Sequence, residues 1–283
     1  MKSLRKSFKY WSNKYLIKAN IKLKKLIANA IGFDDVLKEL TRLGFGRGDK
    51  VIVHSSMSKI GVLKDGANTF NEALKELIGE EGTIIMPTHS SHSSYQFLSN
   101  DELYFDVINT ASITGALTEN FRKSLGVVRS IHPTHSVAAW GKNAQYYVSG
   151  HEKSLHPFDN NSPYPKIISD DFKTLAIGVD LNSTTVVRAV DDLFNEYPFN
   201  PYTNNYFEKK CIDINSEKLI VKSYAHRNDI KFVRDNMLLF PYVKELIKID
   251  KFFEADVMIF SSKKMYEAII ELAKKGITTY KKN

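Results

Sequence analysis

The sequence predicts an α/β protein with mixed α+β additions, in which a layered central sheet carries flanking helices. Three observations predict this class. In the first half of the chain, short apolar segments rich in β-branched residues alternate with segments whose apolar residues repeat at helical spacing. Two of these apolar segments end in polar residues, which is where open α/β sheets place ligand sites. A pair of alternating segments in the second half indicates added antiparallel strands.

The predicted elements follow in order along the chain. Those of the first half are a helix over 34–43 capped by Asp34 or Asp35, a strand over 50–56, a helix over 68–78, a strand over 83–86 and a helix near 116–121. Those of the second half are a strand over 175–179, a loop and helix over 184–194, an antiparallel pair within 209–223, a strand over 256–260 and a helix over 262–275. We divide the chain into a basic N-terminal helix over 1–32 and one catalytic domain over 33–283.

The positive charge of the chain is concentrated at its N-terminus. The formal net charge is +8 over 283 residues. The segment 1–33 contains no acidic residue, and its basic residues are Lys2, Arg5, Lys6, Lys9, Lys14, Lys18, Lys22, Lys24 and Lys25. The rest of the chain is therefore close to neutral, which argues against a broad nucleic-acid-binding surface on the catalytic domain.

The same N-terminal segment has an apolar stripe at helical spacing. Its members are Leu4, Phe8, Trp11, Tyr15, Ala19, Leu23, Leu26 and Ala30. A basic amphipathic helix of this kind lies in the interface of an anionic membrane, or it packs on its own domain or on a second copy in a homodimer. Lysines interrupt the apolar positions, so the segment is not a secretory signal. We expect a cytoplasmic protein that binds peripherally to the inner face of the cytoplasmic membrane.

The single cysteine excludes an internal disulfide and a cysteine-based zinc site. Cys211 lies in an alternating segment, and we expect it to be a buried strand residue rather than a nucleophile. The chain also lacks a Gly-x-Ser-x-Gly elbow and a phosphate-binding P-loop, so the serine hydrolase and P-loop NTPase classes have no support.

Residues 129–136 form the densest polar cluster of the sequence. His132 and His135 lie three residues apart, but Pro133 disfavours a helix that would present both to one metal ion. No metal site is expected. Each histidine either orients a substrate or relays a proton, or it satisfies backbone groups in a tight turn.

The hydroxyls of Ser55, Ser56 and Thr88 follow neighbouring strands and are suited to bind an extended ligand or to cap turns.

In order along the chain, these segments resemble the aminoglycoside 3-N-acetyltransferase family from about Phe33 to Lys275. The resemblance rests on residues 53–61, 82–88, 113–117, 129–141 and Ser162-Pro163. It implies an α/β fold with a deep cleft, acetyl-CoA as cosubstrate and direct acetyl transfer to an amine. It also implies a channel for the CoA and acetyl groups lined by His54, Ser55, Ser56, Pro87, Thr88, Arg129, Ser130, His132 and Ser136.

The sequence departs from this family at the position of its general base. In the family, a threonine is followed three residues later by a histidine and then, after three more, by a glutamate. The matching residues here are Thr185, Arg188 and Asp191. Arginine remains protonated and cannot act as an ordinary base.

Three explanations of this departure stay open. Another catalytic residue supplies the base, with His135 first and His226 or Asp191 next; or Arg188, with Asp191, binds an anionic substrate; or the activity has been lost. A simpler interpretation of Arg188 and Asp191 is an ion pair on one helix.

The function predicted from the sequence is acetyl-CoA-dependent N-acetylation of an amino sugar or an aminoglycoside-like acceptor. Because Arg188 would repel a polycation, we favour an acidic or nucleotide-linked amino sugar of cell-surface polysaccharide biosynthesis. The alternatives are O-acyl transfer on the same fold and a non-catalytic, membrane-associated scaffold.

Overall fold

The computed structural model describes residues 30–198, 200–227 and 232–282. The predicted basic helix over 1–32 lies outside these residues except at its end. There, Ile31 is extended and forms a parallel bridge with Leu63, so the last residues of the predicted helix already pair with the catalytic domain. Within the described ranges, no helix is long and apolar enough to cross a membrane.

The strands of the described residues are β1 (Lys50–Ser55), β2 (Thr83–Pro87), β3 (Phe105–Asp106), β4 (Val128–Arg129), β5 (Val137–Gly141), β6 (Lys173–Ile177), β7 (Phe207–Ile212), β8 (Lys218–Ser223), β9 (Phe232–Arg234), β10 (Lys248–Phe252), β11 (Ala255–Ser261) and β12 (Tyr280–Lys282). The α-helices are Phe33–Leu43, Ala67–Ile78, Ser94–Ser99, Ala116–Phe121, Ala144–Val148, Pro163–Ser169, Val190–Leu193, Phe240–Val243 and Ser262–Lys274. Short 3₁₀ turns connect several of them, including Leu181–Ser183 and Thr185–Arg188.

Seven of the described strands form the central sheet, in the order β10-β11-β6-β1-β2-β5-β4. Its three middle strands, β6, β1 and β2, are parallel, whereas the outer pairs are antiparallel. Val51, Ile52 and Val53 of β1 are fully buried because helices cover both faces of the sheet. The predicted α/β class with antiparallel additions is confirmed.

The two faces of the sheet carry separate apolar cores. Helices Phe33–Leu43 and Ala67–Ile78 pack on one face, against Val51, Val53 and their neighbours. Helices Ala144–Val148 and Pro163–Ser169 pack on the other, against Ile52 and Ile85. The period-2 alternation of β1 thus supplies both cores at once, which holds the carboxyl ends of the parallel strands in fixed positions.

A smaller sheet, β3-β7-β8, stands beside the central one. The predicted antiparallel pair within 209–223 is confirmed as β7 and β8. Cys211 lies in β7 and is fully buried and free, as expected for a strand residue. Burial raises the pKa of its thiol to about 12, so it is not a thiolate nucleophile at neutral pH.

Several boundaries differ from the prediction. The first described helix is capped by Gly32, and Asp35 accepts a hydrogen bond from the Gly32 N–H at 2.9 Å, so neither aspartate is the cap itself. The strand expected over 175–179 ends at Ile177, because Gly178 turns the chain with a φ of +64°. The loop and helix expected over 184–194 are a 3₁₀ turn, Thr185–Arg188, followed by the single helical turn Val190–Leu193.

Candidate active site

A cleft of about 710 Å³ opens at the carboxyl ends of the parallel strands β1, β2 and β6. The predicted residues that line it are His54, Ser55, Pro87, His135, Arg188 and His226. Further lining residues include His89, Ser94, Thr114, Thr118, Thr185, Arg227, Arg234 and Tyr280. The chain therefore brings together side chains from segments separated by more than 200 positions, at the sheet edge where ligands bind in this architecture.

His135 lies at the centre of a group of imidazoles. Its ring centroid is 4.6 Å from that of His89 and 5.6 Å from that of His226. The ring packs edge-on against Phe158, with a centroid distance of 5.5 Å. Nδ1 of His135 lies 2.8 Å from the hydroxyl of Thr134, which is almost fully buried. These contacts fix the ring while one edge faces the cleft.

His226 is held between Ser94 and Arg188. Its backbone N–H donates to the Ser94 hydroxyl at 2.9 Å, and its Nδ1 lies 3.3 Å from the same oxygen. Nη2 of Arg188 lies 2.7 Å from Nε2 of His226. Because a guanidinium can only donate, Nε2 accepts this bond and the proton of the neutral ring resides on Nδ1.

Arg188 leaves the 3₁₀ turn Thr185–Arg188 and stacks on an aromatic ring. Its guanidinium carbon lies 5.1 Å from the centroid of Phe158. Its Nε is buried and has no hydrogen-bond partner among the described residues. Asp191 belongs to the next turn and accepts a hydrogen bond from the Tyr280 hydroxyl at 2.9 Å. Arg188 therefore contacts His226, whereas Asp191 contacts Tyr280.

Four buried imidazoles of the cleft are neutral near pH 7. Burial lowers the pKa of His54 to about 4, and burial together with the charge of Arg188 lowers that of His89 to about 3. The pKa values of His135 and His226 are well below 6.5, because both rings are buried and both lie near Arg188. A neutral imidazole has a lone pair, so these rings can accept protons.

Asp191 has a raised pKa. Burial raises it to about 6, and the nearby charge of Arg188 opposes the rise. Asp191 is not among the described residues that line the cleft, and one of its carboxylate oxygens accepts a hydrogen bond from Tyr280. It is therefore placed to act on Arg188 rather than on a ligand directly.

The comparisons with known proteins agree with this fold and cleft. Residues 52–274 match the family model described as aminoglycoside 3-N-acetyltransferase. The chain belongs to this family.

Among its relatives, an SPbeta prophage-derived aminoglycoside N(3')-acetyltransferase-like protein of Bacillus subtilis is 32% identical over 166 residues, covering 53% of this chain and 61% of that protein. Aminoglycoside N(3)-acetyltransferase VII of Streptomyces paromomycinus is 29% identical, covering 55% and 58%. The chain thus spans about three fifths of the length of these curated relatives.

Solved structures of family members share the fold. The structure of AAC-IIIb in a binary complex with CoASH superposes with a TM-score of 0.75 at 18% identity, over 88% of this chain and 98% of that one. The sisomicin-bound AAC-VIa superposes with a TM-score of 0.76 at 21% identity, over 88% and 99%. At these identities the likeness establishes the architecture, while the roles of individual residues depend on the geometry of this chain.

Arg129 lies outside the cleft lining, although the family resemblance associates it with the cofactor channel. Its guanidinium donates to the carbonyl oxygens of Thr88 at 2.8 Å and Thr110 at 2.5 Å, and to the hydroxyls of Thr88 and Ser136 at 3.1 and 3.0 Å. It also packs 4.9 Å above the ring of Phe105. Its donors are thus used to tie the end of β2 to the loop after β3.

His132 and Ser130 are also internal to the fold. Nδ1 of His132 accepts the backbone N–H of His135 at 3.0 Å and that of Thr134 at 3.3 Å, which organises the turn before β5. Its ring stacks on His151 at 4.5 Å, and Ser130 lies 2.8 Å from Nδ1 of His151. All of these side chains are fully buried or nearly so. They hold the loop that presents His135.

The remaining predicted hydroxyls lie at the edge of the cleft or behind it. Ser136 donates to the carbonyl of Thr88 at 2.7 Å, and both residues are fully buried. Ser56 bonds through its N–H to Ile177 at 2.9 Å and joins β1 to β6. None of the three is among the described residues that line the cleft. Also within the described chain, no group of three His, Cys, Asp or Glu side chains is arranged to hold a metal ion.

The sequence interpretation missed Arg234 and Tyr280 as lining residues. They are partners in the β9–β12 ladder, 46 positions apart in the chain. Neither follows a recognisable strand or motif in the sequence, so no local signal marks them. Ser94 was missed for a similar reason, because a serine in a helix gives no indication that it supports a histidine more than a hundred residues away.

Proposed function

We propose that this protein transfers the acetyl group of acetyl-CoA to a primary amine of an amino sugar, in a ternary complex without a covalent enzyme intermediate. Its membership of the aminoglycoside 3-N-acetyltransferase family supports the reaction class. The observation that carries the proposal is His135, a neutral imidazole fixed by Thr134 and facing the cleft at the carboxyl ends of the parallel strands.

The reaction requires a base because a protonated amine cannot attack a thioester. When the Nδ1–H of His135 donates to the Thr134 hydroxyl, its Nε2 keeps a lone pair for the proton of the acceptor amine. Arg188 cannot perform this step. We assign the general base to His135, and a supporting role to His226, whose Nε2 is already bonded to Arg188.

The cleft residues fit the cosubstrate. Hydroxyls of Ser55, Thr114 and Thr118 line one wall, and Nε2 of His89 is buried there without a partner. Such groups can exchange hydrogen bonds with the amides of a pantetheine arm. When bound, acetyl-CoA supplies an activated acyl thioester. Within the set suggested by the family resemblance, we propose that His54, Ser55 and Pro87 contact it, and that Ser56, Thr88, Arg129, Ser130, His132 and Ser136 support the walls.

The presence of Arg188 in the cleft favours an acceptor that carries negative charge. The family resemblance puts this arginine where a histidine would stand, and its guanidinium lies on the cleft wall beside His226. We therefore propose a nucleotide-linked or otherwise acidic amino sugar of cell-surface polysaccharide assembly as acceptor. Peripheral membrane binding through residues 1–30 and a homodimer remain predictions, since they concern residues or partners outside the described structure.

The test is calorimetry with acetyl-CoA, followed in the same preparation by thiol release against a panel of neutral, acidic and nucleotide-linked amino sugars and aminoglycosides. We expect binding, and release that depends on the acceptor. The mass of the product and its stability in alkali separate an amide from an ester, and hence N-transfer from O-transfer. Absence of acetyl-CoA binding would exclude the proposal, and binding without release across the panel would favour a non-catalytic role.

A further inference from the structure

The described residues that line the cleft include arginines but no acidic side chain, although the carboxyl of Asp191 interacts with Arg188 from outside the lining. Among the described residues that line it are three arginines, Arg188, Arg227 and Arg234, and no aspartate or glutamate. Four of the histidines there, His54, His89, His135 and His226, have lowered pKa values, so these four add no charge at neutral pH. A cleft of this composition attracts anions and repels a polycationic acceptor.

Two of these arginines have unsatisfied donors. Nε of Arg188 and Nε of Arg234 are both buried, and neither has a hydrogen-bond partner among the described residues. The hydrogen bond that Arg188 does make runs to a neutral imidazole, that of His226. Since an unpaired buried donor costs about 1–3 kcal/mol, and more when it is charged, the fold maintains this arrangement at an energetic cost. A bound anion would offset that cost.

The geometry points to a phosphoryl-binding subsite, formed by Arg188 and Arg234, that receives an anionic group of the acceptor. This inference rests on the proposed function and extends it. Arginine suits the task because its planar fork of donors matches two oxygens of a phosphoryl group. Turning either guanidinium toward such a group would break no existing hydrogen bond at Nε.

The position of Arg188 distinguishes an acceptor phosphoryl group from the phosphates of CoA. Its guanidinium touches His226, whose ring lies 5.6 Å from that of His135, the proposed base. The phosphates of CoA are separated from its thioester by the whole pantetheine arm, so they cannot lie at the point of acetyl transfer while the thioester also lies there. An anionic group of the acceptor can lie there, because only a few bonds separate it from the reacting amine.

The surrounding contacts give the subsite a fixed framework. Phe158 supports the guanidinium of Arg188 from one side. Arg234 is the ladder partner of Tyr280, and the hydroxyl of Tyr280 bonds to Asp191, three residues after Arg188. The β9–β12 pair is thereby linked to the segment that carries Arg188, and both arginines line the same cleft.

The test measures binding to protein saturated with CoA, using glucosamine, glucosamine 1-phosphate and inorganic pyrophosphate as probes in calorimetry. We expect glucosamine 1-phosphate to bind at least about tenfold more tightly than glucosamine, since hydrogen bonds to charged groups are worth that factor. Arg188→Met and Arg234→Met should each remove most of this preference. Arg47→Met, which removes an exposed arginine outside the cleft, is the matched control and should keep it.

Each outcome decides the inference. Equal binding of the two sugars, failure of both phosphorylated probes to bind, or a preference that persists in the two arginine variants would overturn it. The same titrations are repeated on CoA-free protein: a preference that is present there and lost on saturation with CoA would assign the arginines to the cosubstrate instead, which also overturns the inference. Thiol release is followed in the same samples: a phosphoryl preference without release supports the subsite while counting against the acetyltransferase proposal. The comparisons that use the unsubstituted protein remain valid if a variant fails to fold.

Discussion

Arg129 and Arg188 are both partly buried arginines close to the cleft, but their surroundings differ. The guanidinium of Arg129 has an acceptor for each of its three nitrogens, most of them backbone carbonyls or buried hydroxyls. That of Arg188 has one bond to a neutral imidazole and a buried Nε with no partner. The first arrangement stabilises the fold, whereas the second leaves binding capacity for a ligand.

His132 and His135, which follow Arg129 in the segment 129–136, also differ in how many of their polar groups have partners. Nδ1 of His132 accepts two backbone N–H groups inside the fold, and the ring is fully buried against His151. Among the described residues, the imidazole of His135 has one hydrogen-bond partner, Thr134, and it lines the cleft. A motif that resembles a family site therefore contains supporting residues beside the residue that we propose as the base. The number of satisfied donors and acceptors separates the two kinds.

The largest expected effect concerns the two histidines. His135→Asn should lower kcat by about 10²–10⁴-fold, the usual contribution of a general base, while the affinity for acetyl-CoA changes little. His132→Asn is the matched control, and it should lower stability while the folded fraction keeps most of its kcat. Steady-state kinetics normalised to acetyl-CoA binding sites, with thermal unfolding of both variants, provide the measurement. A greater loss of kcat in His132→Asn would reverse the assignment.

The second-largest expected effect is on the free energy of unfolding, which we compare between variants of the two arginines. Arg129→Met should lower the free energy of unfolding by about 3 kcal/mol, because it leaves the carbonyls of Thr88 and Thr110 without their donor. Arg188→Met removes a charge with an unsatisfied Nε, and buried Asp191, which then loses the cation that favours its ionised form, can take up a proton instead. Its destabilisation should therefore be smaller than that of Arg129→Met. Urea denaturation of both variants measures the difference. If Arg188→Met proved as destabilising as Arg129→Met, the contrast between a supporting and a binding arginine would be lost.

Much of the fold followed from local sequence patterns. The β-branched segment of β1 and the helical spacing of Ala67–Ile78 specify buried elements whatever their partners are. The edge strand β10 was missed because Lys248, Asp250 and Lys251 interrupt its apolar residues, and its Ile249 is largely exposed. The short strands β3, β4, β9 and β12 form through pairing with distant segments, and so their sequences alone do not indicate them.

The candidate site was predictable only where a residue follows a strand or belongs to a familiar motif. His54 and His135 were found in this way, and both line the cleft. The burial of Arg129 and His132 behind it depends on which backbone groups need partners, and these are set by tertiary contacts between β2, β5 and the loop after β3. The pairing of Arg188 with His226 joins residues 38 positions apart, a distance at which no periodicity applies.

The smallest effect is a shift of the pH profile, and it tests whether Arg188 and His135 share one electrostatic environment. The pKa of His135 is held well below 6.5 by burial first, and then by His89, Arg188, His226 and His132 around it. A base works in its deprotonated form, so the acid limb of kcat/KM follows this pKa and should lie below pH 6.5. Arg188→Met removes a positive charge that disfavours the imidazolium, and the pKa of His135 must then rise toward 6.5.

The acid limb of Arg188→Met should therefore move to higher pH. Arg188→Lys keeps the charge but loses the planar fork, and its limb should stay close to that of the parent even where its affinity for the acceptor falls. The pH dependence of thiol release for the three proteins, measured with one neutral amino sugar, separates charge from hydrogen bonding. An unshifted limb in Arg188→Met would mean that the titrating base lies beyond the influence of Arg188, and His135 would no longer be the first candidate.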